Sequence, residues 1–173
     1  DVLELDCLEL CYEKCNEENL DFLFFDAITF YDDDFDSDLR LNYQRTESLV
    51  IKIYSGVEIL NILLHKKAYK DSACLSFIRT KYLKELNLFF IPNIYYEDIP
   101  FSVKLYAEAK RVSFIKRSFF HRRMRNGSIM SSKISEKQLN DFFIIIDEII
   151  KYKKSTNNSE IKKVVKVRLR NLL

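Results

Sequence analysis

Residues 93–132 read NIYYEDIPFSVKLYAEAKRVSFIKRSFFHRRMRNGSIMSS. Two adjacent carboxylates, Glu97 and Asp98, stand at the mouth of a segment, 99–110, whose apolar spacing predicts a helix. Pro100 is tolerated in its first turn, where a backbone N–H would lack an intrahelical partner anyway. Aromatic and β-branched residues then mix with bases over 111–116 and 118–123, which predicts two short strands. Asn126-Gly127 follows as the one strong turn dipeptide of the chain.

Upstream, the run 20–31 (LDFLFFDAITFY) is too apolar to be exposed and reads as a central strand. Before it, Leu3, Cys7, Leu8, Cys11 and Cys15 fall at helical spacing over 3–18, with the acids outside. Three thiols on one face, with no fourth ligand at a metal spacing, predict burial as small apolar groups. Ser55 is a suitable N-cap for a helix over 55–67, and His65 near its basic end is expected at the surface or capping. A short strand at 74–78, a short helix at 80–86 and an apolar turn at 89–93 lead into the quoted stretch. Downstream, 135–154 predicts a long amphipathic helix and 155–159 a break. A basic terminal helix over 160–173 places Ile161, Val164, Val165 and Leu169 on one face. The order is α/β, but too short of strands for a complete doubly wound sheet, and no internal repeat is visible.

Composition narrows the function. With 173 residues and 47% apolar residues the chain is long enough for one cored domain with a helical appendage. Only 2 Gly and 2 Pro occur, which argues against a Gly-rich phosphate loop. The apolar runs are interrupted well before a membrane span, and the acidic start is not a signal peptide. Four Cys without paired metal spacing fit a reduced, cytoplasmic setting. The acidic run 32–38 lacks the Gly and the bidentate Glu of an EF-hand loop and reads as a solvated loop. Net charge is +2, yet residues 1–38 hold 14 acids against Lys14 alone, whereas 110–133 hold 8 bases and no acid. A further 8 bases face only Glu160 over 151–170. Such asymmetry predicts that the basic half meets something anionic, or that the two halves neutralise each other across the fold.

Three features carry chemistry: Glu97-Asp98, the basic strand ending in His121-Arg122-Arg123, and Arg125-Asn126-Gly127-Ser128. A helix N-terminus favours ionised carboxylates, which a general base requires, and Arg forks match a diphosphate. In this order the features resemble the C-terminal half of family 2 glycosyltransferases, the bacterial capsule and lipooligosaccharide enzymes most of all. Resemblance covers residues 1–150 and is most specific over 94–132.

The resemblance implies a partial GT-A fold lacking the N-terminal nucleotide-binding strands, with 1–132 as the C-terminal portion of that domain and 133–173 as a helical extension. It implies inverting transfer from a nucleotide-sugar donor, a UDP-sugar, to a hydroxyl of a glycan or lipid-linked acceptor in surface polysaccharide synthesis. Asp98 would be the catalytic base and Glu97 would shape its site. Arg122 and Arg125 would hold the donor diphosphate, with His121 and Ser128 beside them. Asp1 would be the last aspartate of the family's Asp-x-Asp motif, and in the complete enzyme Mg²⁺ or Mn²⁺ would bridge that motif to the diphosphate. The implied location is cytoplasmic, at the inner face of the membrane. Two departures stand out: the nucleotide-binding half is absent, and so is the family's Trp in the segment before Arg79. The expectation is a natural protein that extends upstream and a 173-residue piece inactive by itself.

Two other readings compete. Phe114, Phe119 and Phe120 interleaved with bases would suit a single-stranded nucleic-acid platform, but no RNP-like motif is present and the pI of 8.3 is low for one. A non-catalytic module docking on membrane or a partner through the basic helix of 151–170 is the other. Nucleic acid is the less expected partner.

Overall fold

The computed structural model describes residues 1–35, 41–129 and 134–173. The end of the acidic run, the last three residues of the 93–132 stretch, Lys133 and the expected boundary between 132 and 133 lie outside these.

A four-stranded sheet runs in the order β1-β4-β2-β3. Strand β2 (Phe22–Tyr31) is central and pairs in parallel with β4 (Val112–Met124) and antiparallel with β3 (Ser76–Ile78). Its first six residues are buried, as a run apolar on both faces requires. Alternation sends Phe22 and Phe24 to one face and Leu23 and Phe25 to the other. The first face packs under α2 (Gly56–His65), α4 (Asp98–Glu108), α5 (Glu136–Ser155) and α6 (Ser159–Leu172), and Ile59, Leu63, Val103, Phe114, Ile145 and Val165 fill the space between. The second face takes Cys7, Cys11 and Cys15 from α1 (Cys7–Glu17), as their spacing predicts. All three are free thiols, and burial pushes Cys15 up to about 11 and Cys11 higher, so they are inert packing groups. The short helix α3 (Thr80–Leu86) has the predicted bounds, and Ser55 caps α2 by accepting from the Glu58 N–H.

Three local expectations are corrected. The two strands expected at 111–116 and 118–123 are one 13-residue strand, β4, whose register against β2 shifts twice beside Asp26. Lys116 and Arg117 bulge outward there, so the hydrophobic alternation breaks and imitates a strand boundary. The helix expected from residue 3 starts at Cys7 because Val2–Leu3 form β1, paired antiparallel with His121 and Phe120 of β4. The strand expected at 74–78 begins only at Ser76, after a helical turn at Ala73–Leu75.

Gly56 marks the closest approach of two helices. A Cβ there would lie 1.7 Å from the Tyr106 carbonyl oxygen on α4, so no larger residue fits. Helix α6 buries Ile161, Val164, Val165 and Leu169 against α2 and α4, which leaves Lys162, Lys163, Lys166 and Arg170 outward. Its apolar stripe is therefore spent on the core, and only its cationic face meets solvent. No helix among the described residues is long and apolar enough to cross a membrane.

Candidate functional site

Glu97 and Asp98 open α4 as the sequence predicts, Glu97 at the N-cap and Asp98 in the first turn. They diverge: Glu97 is exposed and Asp98 is half-buried. The turn before them is built by α5. Asn93 and Tyr96 adopt left-handed φ angles of 62° and 61°, costly for an aromatic residue. Compensation comes from the first turns of α5: Lys137 donates to the Asn93 carbonyl (2.9 Å), the Tyr95 N–H donates to Asp141 (2.9 Å), and Gln138 donates to the Tyr96 hydroxyl (2.9 Å). Gln138 and Ser135 also form the capping box that starts α5. One helix terminus thus fixes another.

Burial, helped by the negative charges of Asp71 and Glu97, pushes the Asp98 carboxyl up to about 6, against its own backbone N–H and the Arg122 charge. A carboxylate with that value is half ionised near pH 6 and is a competent proton acceptor at neutral pH.

The basic end of β4 borders an open cleft of about 600 Å³ lined by Asp1, Arg122, Arg123, Arg125, Gly127 and Ser128, among others. Gly127 has φ 70°, the backbone that the Asn126-Gly127 turn requires. Of the expected donor-side residues, Arg122, Arg125, Ser128 and Asp1 gather on this cleft. His121 does not line it: its Nε2 lies 2.6 Å from Glu4 Oε1, as strand alternation from Arg122 dictates. Arg123 pairs with Asp32 through two hydrogen bonds of 2.7 and 2.8 Å.

Arg122 joins the cleft to the carboxylate. Its guanidinium donates to the Tyr43 hydroxyl at 2.6 Å and lies 5.3 Å from that ring's centroid, while its charge acts on Asp98. Sequence reading missed Tyr43, because the irregular segment between β2 and α2 has no periodicity to betray it. The segment is held from below. Asp26 accepts from the Arg45 and Thr46 N–H groups and the Thr46 hydroxyl, and Gln44 reaches Ala27 and Ser118. The buried Arg45 guanidinium donates to the carbonyls of Phe25 and Leu75.

For the expected divalent metal the fit is poor. Asp1 supplies one carboxylate, and its oxygen already accepts from the Arg123 N–H at 2.7 Å. Among the described residues no group of three or more His, Cys, Asp or Glu is gathered as a metal site, and Mg²⁺ or Mn²⁺ would take one or two free carboxylates with phosphate and water oxygens. These residues alone do not make the site. The nucleic-acid platform loses two of its three aromatics, since Phe114 and Phe119 are 1% and 0% exposed and cannot stack on bases, which leaves the half-buried Phe120 alone.

No family model matches this sequence, and no curated protein does. Solved structures do match the fold. The 1–349 piece of S. aureus TarS in complex with UDP-GlcNAc aligns with a TM-score of 0.66 and 18% identity, over 94% of this chain and 43% of that chain. A second structure of S. aureus TarS 1-349 gives 0.63 and 16% identity over 96% and 42%. The complex of that piece with UDP gives 0.61 and 16% over 94% and 41%. The chain therefore spans less than half the length of these TarS chains. Its mixed α/β architecture is the fold of part of these TarS chains, the fold class that the 93–132 stretch leads one to expect.

Proposed function

We propose that this chain forms the acceptor side of an inverting glycosyltransferase. The observation that carries the reading is Asp98: a half-buried carboxyl raised to about 6, within electrostatic reach of an arginine that lines a basic cleft. Glycosyl transfer with inversion needs a base on the acceptor side and positive charge around the leaving diphosphate. The acceptor oxygen attacks the anomeric carbon and its proton passes to Asp98. The bond from that carbon to the phosphate oxygen breaks, and the nucleoside diphosphate leaves with the electron pair. Arg122 and Arg125 meet its charge, with Ser128 beside them. Glu97, exposed at the same helix mouth, faces the acceptor. TarS binds UDP-GlcNAc, which supports a UDP-sugar as donor here, and a glycan or lipid-linked hydroxyl is the acceptor class. The rest of the donor site and the ligands of a Mg²⁺ or Mn²⁺ ion come from sequence outside these 173 residues, which alone are inactive. The work belongs on the cytoplasmic side of a membrane, with the outward bases of α6 toward anionic lipid.

The test is a thermal-shift titration of the natural-length polypeptide against nucleotides and nucleotide sugars, with and without Mn²⁺. A selective rise in melting temperature with one nucleotide supports the reading. No shift with any nucleotide overturns it.

A further inference from the structure

The segment between α2 and the Ala73–Leu75 turn is tied to two helices at one residue. Arg168 of α6 donates to the Asp71 carboxylate at 2.6 Å, and the Ser102 hydroxyl of α4 donates to the Asp71 carbonyl at 2.5 Å. Ser102 lies four residues after Asp98, one turn along the same face of α4. The ion pair is withdrawn from solvent, the Arg168 and Asp71 side chains being 8% and 21% exposed. Helix α6 reaches α4 through apolar packing and through Asp71.

We propose that the Asp71–Arg168 pair is a positioning device through which the C-terminal helix sets the placement and charged surroundings of Asp98, an inference that rests on Asp98 being the base. A buried pair of this kind contributes little net stability compared with an apolar replacement, so stability alone does not account for its place beside the helix that carries Asp98. The charged and titratable groups facing Asp98 are few. Glu97 comes from its own helix, Asp71 from the loop, Arg122 from β4 and Tyr43 from the segment before α2. Of the two acids that oppose ionisation of Asp98, Asp71 acts more strongly than Glu97. Arg168 and Lys70 in turn bear on Asp71, whose own carboxyl burial pushes up. Arg168 therefore holds Asp71 in place and favours its charged form against burial, and that charge raises the proton affinity of Asp98.

The experiment is a carboxyl-carbon NMR titration of aspartate-labelled chain, with the Asp98 resonance assigned from Asp98→Asn. Asp71→Asn should shift the Asp98 midpoint downward, toward the ordinary carboxylate range. If that variant does not fold, Asp71→Asn combined with Arg168→Gln keeps the pair's shape without its charges and should shift Asp98 the same way. An Asp98 midpoint that stays put in a folded variant overturns the proposal. In the natural-length protein the acid limb of the transfer rate should move down with the midpoint. A moved midpoint in a protein that transfers no sugar would reject the proposed function and leave the coupling standing. A moved midpoint with an unmoved acid limb would show that Asp98 is not the base on which this proposal rests.

Discussion

Asp26 and Asp98 are both drawn away from water, and the fold treats them in opposite ways. Asp26, 3% exposed on the central strand, accepts from two backbone N–H groups and a hydroxyl at 2.6 to 3.2 Å. Asp98 has its own backbone N–H and the distant charge of Arg122 on one side, and burial, Asp71 and Glu97 on the other. A carboxylate whose lone pairs are filled is a strut. One whose charge is resisted is ready for a proton. The difference separates scaffold from chemistry among the chain's many acids better than their positions in the sequence do.

The most direct way to break this comparison is Asp98→Asn in the natural-length protein. Loss of a general base should lower the transfer rate about 10²- to 10⁴-fold, with nucleotide affinity preserved, in a turnover assay paired with a nucleotide titration. Undiminished turnover would return Asp98 to the struts. Asp26→Ala should do the reverse. It leaves two backbone N–H groups and a threonine hydroxyl without acceptors at a buried site, at a cost of about 3 kcal/mol in a urea titration. A cost within 0.5 kcal/mol, the range of roughly neutral surface changes, would mean that the 45–46 segment finds other partners.

How much of this was legible beforehand follows the same division. Wherever period or capping carried the signal, the sequence sufficed: the Cys face of α1, Ser55 at the cap of α2, the bounds of α3, and Glu97-Asp98 at a helix mouth. Irregular backbone was opaque. Tyr43, Gln44, Arg45 and Thr46 lie in a segment without period, and their roles come from hydrogen bonds to residues 17 to 79 positions away. The bulge in β4 hid one strand as two, since Lys116 and Arg117 interrupt the alternation just where the strand twists past Asp26. Asp71 and Arg168 are 97 positions apart, and nothing in either neighbourhood announces the pair. The basic terminal helix was legible only in part. Its amphipathic pattern is real, but pattern alone does not say whether the apolar face meets lipid or the protein's own core.

Stability gives a smaller and opposite signature for the same carboxylate. Asp98 titrates higher in the fold than in the unfolded chain, so its protonated form favours folding. That contribution is complete in acid and is lost as pH rises from about 4 to about 6. Asn has no charge to desolvate. Asp98→Asn should therefore raise the unfolding free energy at pH 7.5 by about 2 kcal/mol and change it little at pH 4. Equal effects at both values would mean that Asp98 titrates like an exposed acid.

Tyr43 links the two halves of the comparison. The Asp26 clamp fixes the backbone two residues after it, and its hydroxyl accepts from Arg122 at 2.6 Å. Tyr43→Phe keeps the ring and its stacking under the guanidinium and removes only that acceptor. One hydrogen bond to a charged donor in a half-buried place is worth about 1 kcal/mol. UDP binding by the natural-length protein should therefore weaken about fivefold in calorimetry, with stability nearly unchanged. An unchanged affinity would show that Arg122 is aimed by strand β4 alone, and the scaffold would then end at Asp26 instead of reaching the cleft.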